Sequence, residues 1–209
     1  LLLGSEDSTG VGSTFSTTLY TGNGGSTTTI TNNIDLLGDG GLVWIKARNA
    51  AENHALFDTE RGVTKILSSN LTDAESTNTG TLTDFYSNGF KVNGNGTVGS
   101  STDPYVSWTF KKQAKFFDIV TYTGNGTSQT ISHNLSVAPA VIITKRTDTT
   151  SNWLVYHTSI PTQNIYLNTT AAAAGTMGIT SVTDASYAVN GSSELNENVG
   201  TYVAYLFAH

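Results

Sequence analysis

The sequence predicts an all-β protein made of two tandem homologous antiparallel β-sandwich domains, of the jelly-roll or lectin-like kind. Gly, Ser, Thr and Asn are abundant and only 12% of the residues are charged, as is typical of strands joined by many turns. Short β-branched and aromatic runs alternate with Gly and Asn turn signals, and no helical stripe is sustained. The segment YTGNG at residues 20–24 recurs at residues 122–126. The alternative is one larger lectin-like sandwich, in which each repeat supplies half of both sheets.

Three segments follow from this pattern. Residues 1–18 are rich in Ser, Thr and Gly, have no sustained periodicity and carry Phe15 as their one aromatic anchor, which predicts an extended arm or linker. Residues 19–112 are predicted to form the first β-sandwich repeat, and residues 113–209 the second. Each repeat is near the small end of the range for an independent domain, so we expect the two to lie close together.

The strands of the first repeat are identified by their composition and by the turns between them. The turn signals are the glycine cluster at residues 38–41, the Gly62 turn and the Asn88-Gly89 pair, which is a strong hairpin signal between two phenylalanines. The predicted strands are residues 27–31, 42–46, 55–58, 63–67 and 105–110.

The second repeat has the same features in the same order. The spacing between matching residues falls slowly, from 102 at the opening tyrosines, Tyr20 and Tyr122, to 97 at the last strand. Preserved order with a drifting spacing indicates a duplicated unit with small loop deletions. We therefore predict that Tyr20 and Tyr122 occupy equivalent positions in the two halves.

Charge and composition argue against several kinds of function. The net charge is −6 and the only cluster of basic residues is the short segment 111–115, so nucleic-acid binding is not expected. The chain has no cysteine, which excludes disulfides and cysteine-based zinc sites. No apolar run approaches the roughly 20 residues of a membrane span, so membrane insertion is not expected either.

Catalytic patterns are weak. The histidines, at positions 54, 133, 157 and 209, lack the spacing of a helical metal motif, and His133 is expected to bond within its own turn. Asp58 and Glu60 would share one face of a strand, as a glycosidase pair requires, but an ion pair with Arg61 or a turn cap explains them equally well. No Gly-x-Ser-x-Gly elbow is present. The expectation is a protein that is not an enzyme and has no catalytic residues, metal site or cofactor.

Aromatic residues are the best candidates for binding. Sugar sites on β-sandwiches use an exposed ring beside Asn or Asp side chains. Trp44, Trp108 and Trp153 lie in apolar strands and are expected in the core. Tyr86 and Tyr187 lie next to loops and are predicted to be the platforms.

Taken together, several segments resemble a family of repeat-containing virion structural proteins of tailed bacteriophages, notably marine and cyanobacterial ones. Members are tail-fibre-like or minor structural proteins. The resemblance spans residues 15–209 and departs at loop 38–41, where the family more often has a proline before the tryptophan strand. The segments that carry it are LVWIKARN (42–49), HALFDTERG (54–62), SNGF (87–90), residues 133–139 and YVAYLF (202–207).

The resemblance implies a structural protein of the virion, an extracellular particle, that acts as a tail-fibre-like module in host attachment through a surface glycan. Its expected partners are other virion proteins and further copies of itself, since fibre proteins are commonly homo-oligomers and often trimers. The alternatives are a purely structural capsid or tail decoration subunit and a glycan depolymerase. The family implies no catalytic residues.

Overall fold

The protein is nearly all β, as predicted. A computed structural model describes residues 14–209, with 44% of residues in strands and 2% in helix, and every strand pair is antiparallel. Within this range no helix is long and apolar enough to cross a membrane. The elements are β1 (Phe15–Thr21), β2 (Thr28–Thr31), β3 (Gly41–Ala47), β4 (Ala55–Asp58), β5 (Lys65–Ile66), β6 (Ser76–Thr77), β7 (Leu82–Tyr86), β8 (Gly89–Val92), β9 (Pro104–Lys111), β10 (Phe117–Thr123), β11 (Gln129–Ser132), β12 (Val141–Arg146), β13 (Trp153–His157), β14 (Ile165–Tyr166), β15 (Ile179–Val182), β16 (Ser186–Val189), α1 (Ser193–Asn196) and β17 (Thr201–Phe207).

The predicted arm is partly a strand. Residues 15–18 belong to β1, which pairs with β9 in a register that places Phe15 opposite Phe110. The two ring centroids lie 4.8 Å apart, so Phe15 is an anchor that holds this strand to the sheet. The rest of the predicted arm, residues 1–13, lies outside the described residues.

Each half of the chain forms its own pair of sheets. In the first unit, residues 14–112, the sheets have the strand orders β1-β9-β3-β4 and β2-β8-β7, with a small β5-β6 hairpin beside them. In the second unit, residues 113–209, the orders are β10-β17-β12-β13-β14 and β11-β16-β15. Among the described residues every sheet draws its strands from one half, which is the two-unit form of the fold and not a single shared sandwich.

The opening tyrosines of the two units occupy equivalent positions, as predicted. Tyr20 stands opposite Tyr105, with ring centroids 5.2 Å apart, and Tyr122 stands opposite Tyr202, with centroids 5.0 Å apart. Each opening tyrosine also donates its hydroxyl to a backbone carbonyl, at 2.8 Å in the first unit and 2.7 Å in the second.

The first glycine of each repeated segment, Gly22 or Gly124, is required by close packing. A Cβ on Gly22 would lie 2.0 Å from the carbonyl oxygen of Ser100, and a Cβ on Gly124 would lie 2.2 Å from that of Glu197. Since real Cβ atoms do not approach backbone oxygens so closely, both turns need a residue without a side chain. The duplicated YTGNG segment is therefore a packing motif.

The buried apolar side chains form three clusters: one inside the first unit, one inside the second unit, and one between the two units. Val43 and Ile45 of β3 belong to the core of the first unit, whereas Leu42 and Trp44 point the other way, because side chains alternate along a strand. That opposite face packs against the second unit. The buried members of this interunit cluster are Leu42, Leu56, Leu67, Phe117, Ile119, Trp153, Val203 and Tyr205.

Candidate functional site

A buried ion pair lies where the two units meet. The Asp58 carboxylate is fully buried and accepts hydrogen bonds from Arg61 Nε at 2.6 Å and from the Tyr205 hydroxyl at 2.7 Å. Its other oxygen accepts the backbone N–H groups of Glu60 and Arg61, at 3.1 and 2.9 Å. Asp58 and Arg61 belong to the first unit and Tyr205 to the second, so this network joins the units.

The two carboxylates that could have formed a glycosidase pair, Asp58 and Glu60, each pair with a basic side chain. Asp58 forms an ion pair and caps its turn, which confirms that interpretation of the residue, although the pair is buried and not on the surface. Glu60 forms an ion pair with Lys112. Burial opposes the positive charge of Arg61, but the neighbouring Tyr205 and Asp58 raise its pKa, which keeps the guanidinium charged.

A cleft of about 470 Å³ opens beside this network. Its basic groups are already paired, since Glu75 accepts from Arg61 at 3.2 Å and from Lys65 at 3.4 Å. A charged ligand would have to displace one of these pairs. The cleft is lined by Glu60, Arg61, Lys65, Glu75, Thr121, Tyr122, Thr123, Thr147, Thr201 and Tyr202, which come from both units.

Two histidines of the second unit, His133 and His157, bond within local turns. His133 is 7% exposed, and its Nδ1 accepts the backbone N–H of Leu135 at 3.3 Å, which confirms the predicted turn role. His157 Nδ1 accepts the backbone N–H of Ser159 at 3.1 Å. Within residues 14–209 no three His, Asp or Glu side chains come close enough together to hold a metal ion.

The two predicted tyrosine platforms have different environments. Tyr187 is 1% exposed and packs in the core of the second unit, so the prediction that it presents its ring to a ligand is wrong. The reason is the strand period: Tyr187 and Val189 share the inward face of β16. Tyr86 ends β7 and is partly exposed, and its role as a platform stays a prediction.

The tryptophans also differ from one another. Trp153 is fully buried, as predicted. Trp44 and Trp108 are partly exposed, which differs from the core position expected for them. They stand opposite each other on β3 and β9, with ring centroids 6.3 Å apart and an interplanar angle of 80°. Both point to the outer face of their sheet, and the second unit covers only part of that face.

These tryptophans form a small concave site, here called the aromatic pocket. It is lined by the four rings of Trp44, His54, Trp108 and Phe110 and has a volume of about 260 Å³. The Trp44 indole N–H donates to His54 Nδ1 at 2.9 Å, which places the imidazole proton on Nε2. Among the described residues no acceptor bonds to that Nε2. Burial lowers the pKa of His54, and the nearby Lys46 ammonium lowers it further, so the ring is neutral at neutral pH.

Amide side chains lie next to the aromatic pocket. The Asn70 carbonyl accepts the backbone N–H of His54 at 3.0 Å, and its amide group donates to Asn53 at 2.7 Å. Both asparagines are exposed. Asn70 also lines a second cleft, of about 520 Å³, to which residues 167–170 of the second unit contribute. Asn70 thus links the two sites, because it lines the cleft and bonds to the backbone of His54, which lines the pocket.

Sequence reasoning missed this site for an identifiable reason. Trp44 and Trp108 lie in the apolar strands 42–46 and 105–110, so the pattern predicted that both are buried. The pattern does not tell how much of a strand's face another unit covers.

Comparison with known proteins gives one match. Residues 11–209 match the sequence profile of a family described as a domain of unknown function, DUF7483. No curated protein and no solved structure matches the chain.

Proposed function

We propose that this chain, which belongs to the DUF7483 family, is a tail-fibre-like structural module of a bacteriophage virion that attaches to a host surface by binding a glycan. The resemblance to virion structural proteins supports the virion assignment; it is carried by residues 42–49, 54–62, 87–90, 133–139 and 202–207. The aromatic pocket, next to exposed amide groups, is the observation that carries the glycan assignment.

The chemistry of the pocket suits a sugar. A pyranose ring has faces of C–H groups that pack on aromatic rings, and an edge of hydroxyl groups that need hydrogen-bonding partners. Trp44 and Trp108 supply the rings, and Asn53, Asn70 and the Nε2–H of His54 supply polar groups at the rim. The volume of about 260 Å³ is below the roughly 300–1,000 Å³ of drug-sized sites, so one sugar residue of a longer glycan is the proposed occupant.

The contact between the units supports a structural role. An apolar cluster and the buried Asp58–Arg61–Tyr205 network hold the two sandwiches together without a disulfide. A module that must keep its shape outside a cell benefits from such a contact. The proposal includes assembly with other virion proteins and with further copies of the chain, a trimer being the arrangement common among fibres.

A glycan array tests the adhesion proposal. The labelled protein is expected to bind a subset of bacterial surface glycans. A Trp108→Ala variant is expected to lose most of the signal, because half of the facing aromatic pair is gone. Tyr86→Ala is the matched control, since it removes a partly exposed ring elsewhere on the same unit. Near-ultraviolet circular dichroism checks that both variants are folded.

Three outcomes would contradict parts of the proposal. Absence of binding at millimolar ligand would count against adhesion and favour the decoration-subunit alternative. Loss of signal in Tyr86→Ala alone would move the site to β7. Release of reducing sugar from host polysaccharide, abolished by Asp58→Asn, would show a depolymerase.

A further inference from the structure

The second unit has a position that corresponds to the aromatic pocket of the first unit. In the first unit Trp44 of β3 stands opposite Trp108 of β9. At the corresponding place in the second unit, Ile143 of β12 stands opposite Tyr205 of β17. Both pairs point to the outer face of the larger sheet of their unit, because Tyr205 belongs to the interunit cluster and both Ile143 and Trp44 pack against it.

In the second unit this place is already occupied by the first unit. Trp153, which follows Asn152 as His54 follows Asn53, is fully buried and donates its indole N–H to the carbonyls of Ser68 and Leu71, at 3.0 and 3.1 Å. The Tyr205 hydroxyl donates to Asp58, as described above. The segment of the first unit from Asp58 to Leu71 therefore closes the second face, and the same position in the first unit stays partly open.

The open pocket has no charged side chain in its lining. Its four rings are apolar apart from the neutral imidazole of His54. The nearest ammonium, on Lys46, is held by the carbonyls of Ala47 and Ala50, at 2.7 and 3.0 Å. A carboxylate placed against these rings would lose part of its hydration and would find no cation there, only the neutral Nε2–H donor of His54, which is costly. The net charge of −6 adds a general repulsion of acidic glycans.

We propose that each chain binds one uncharged sugar residue, through the aromatic pocket of the first unit alone, and that the counterpart face of the second unit serves as the interunit contact. This rests on the proposed glycan-binding function and adds to it the number of sites and the class of sugar. The outer face of the larger sheet thus contacts the neighbouring unit in both halves of the chain, and in the first unit a part of that face also stays open for a ligand.

Titration by ¹H–¹⁵N correlation spectroscopy tests the inference. The probes are the methyl glycosides of glucose, galactose, mannose and N-acetylglucosamine, with methyl glucuronide and methyl galacturonide as charged partners of the first two. At least one neutral probe is expected to shift signals around the pocket, including the indole N–H signals of Trp44 and Trp108, in a saturable way. The matching uronide is expected to bind at least about tenfold more weakly.

Variants at corresponding positions of the two units show whether the chain has one sugar-binding site or two. Trp108→Ala is expected to abolish the shifts, and Tyr205→Phe, its counterpart, is expected to leave them unchanged. His54→Ala removes the smallest of the four lining rings and provides a second test if Trp108→Ala does not fold. Its expected effect is weaker binding, because the Nε2–H donor is lost.

The outcomes distinguish the inference from the function on which it rests. Equal or tighter binding of a uronide, or saturable shifts around Trp153 and Tyr205, would overturn the inference and leave glycan binding intact. An array signal from acidic glycans alone would do the same. No shift with any probe, together with an empty array, would overturn both.

Discussion

Replacing Tyr205 by Phe removes one hydroxyl that bridges the two units. The residue is 1% exposed and its hydroxyl donates to the Asp58 carboxylate at 2.7 Å. A hydrogen bond to a charged group contributes about 1.5–3 kcal/mol, and the ring itself stays to pack on its neighbours. Since Arg61 Nε still pairs with the same oxygen at 2.6 Å, the carboxylate is not left alone. We expect the free energy of unfolding to fall by about 1.5–3 kcal/mol, or about 3–12 °C in Tm for a chain of this length.

Differential scanning calorimetry and urea unfolding measure this effect, with Tyr202→Phe as the control. The Tyr202 hydroxyl donates to the Ser193 carbonyl at 3.0 Å, inside the second unit. Both variants lose stability, but only Tyr205→Phe weakens the contact between units. We therefore expect Tyr205→Phe alone to broaden or split the calorimetric transition.

A small or unspecific effect would refute this reasoning. If Tyr205→Phe cost less than about 0.5 kcal/mol, the hydroxyl would contribute no more than an ordinary surface contact. If Tyr202→Phe split the transition to the same degree, the effect would not come from the contact between units.

Three further predictions concern other parts of the molecule. Gly22→Ala places a Cβ 2.0 Å from the Ser100 carbonyl oxygen and should cost about 1–3 kcal/mol in urea unfolding, whereas Gly96→Ala, with its nearest neighbour at 3.7 Å, should be nearly neutral. Burial lowers the pKa of Lys145 to about 8 in the folded chain, so the unfolded chain binds more protons above that pH. Unfolding free energy should therefore rise between pH 8 and 10, relative to Lys145→Met, with a slope approaching about 1.4 kcal/mol per pH unit, and an equal or falling difference would contradict the assignment. Trp153→Phe loses the indole N–H that bonds two carbonyls of the first unit and should cost about 1–3 kcal/mol, measured by the same unfolding curves.

Much of the fold could be predicted because it depends on local patterns. The duplicated segments at residues 20–24 and 122–126 lie at equivalent places, where the first strand of each main sheet ends, and the Asn88-Gly89 turn joins β7 and β8 as expected. The ion pair of Asp58 with Arg61 was expected as one explanation of these residues, because they lie three positions apart at a predicted turn. These features concern neighbouring residues or a repeated order, and both can be read directly from a sequence.

The sequence by itself determined which side chains share a face, and only the tertiary structure decided what covers that face. Trp108 and Tyr205 occupy corresponding strand positions, yet Trp108 lines an open pocket and Tyr205 is buried. The same holds for Tyr187, whose place beside a loop indicated exposure although its strand turns it into the core. The physical reason is that alternation has a period of two residues along one strand, whereas burial depends on the packing of a second sheet or unit from far away in the chain.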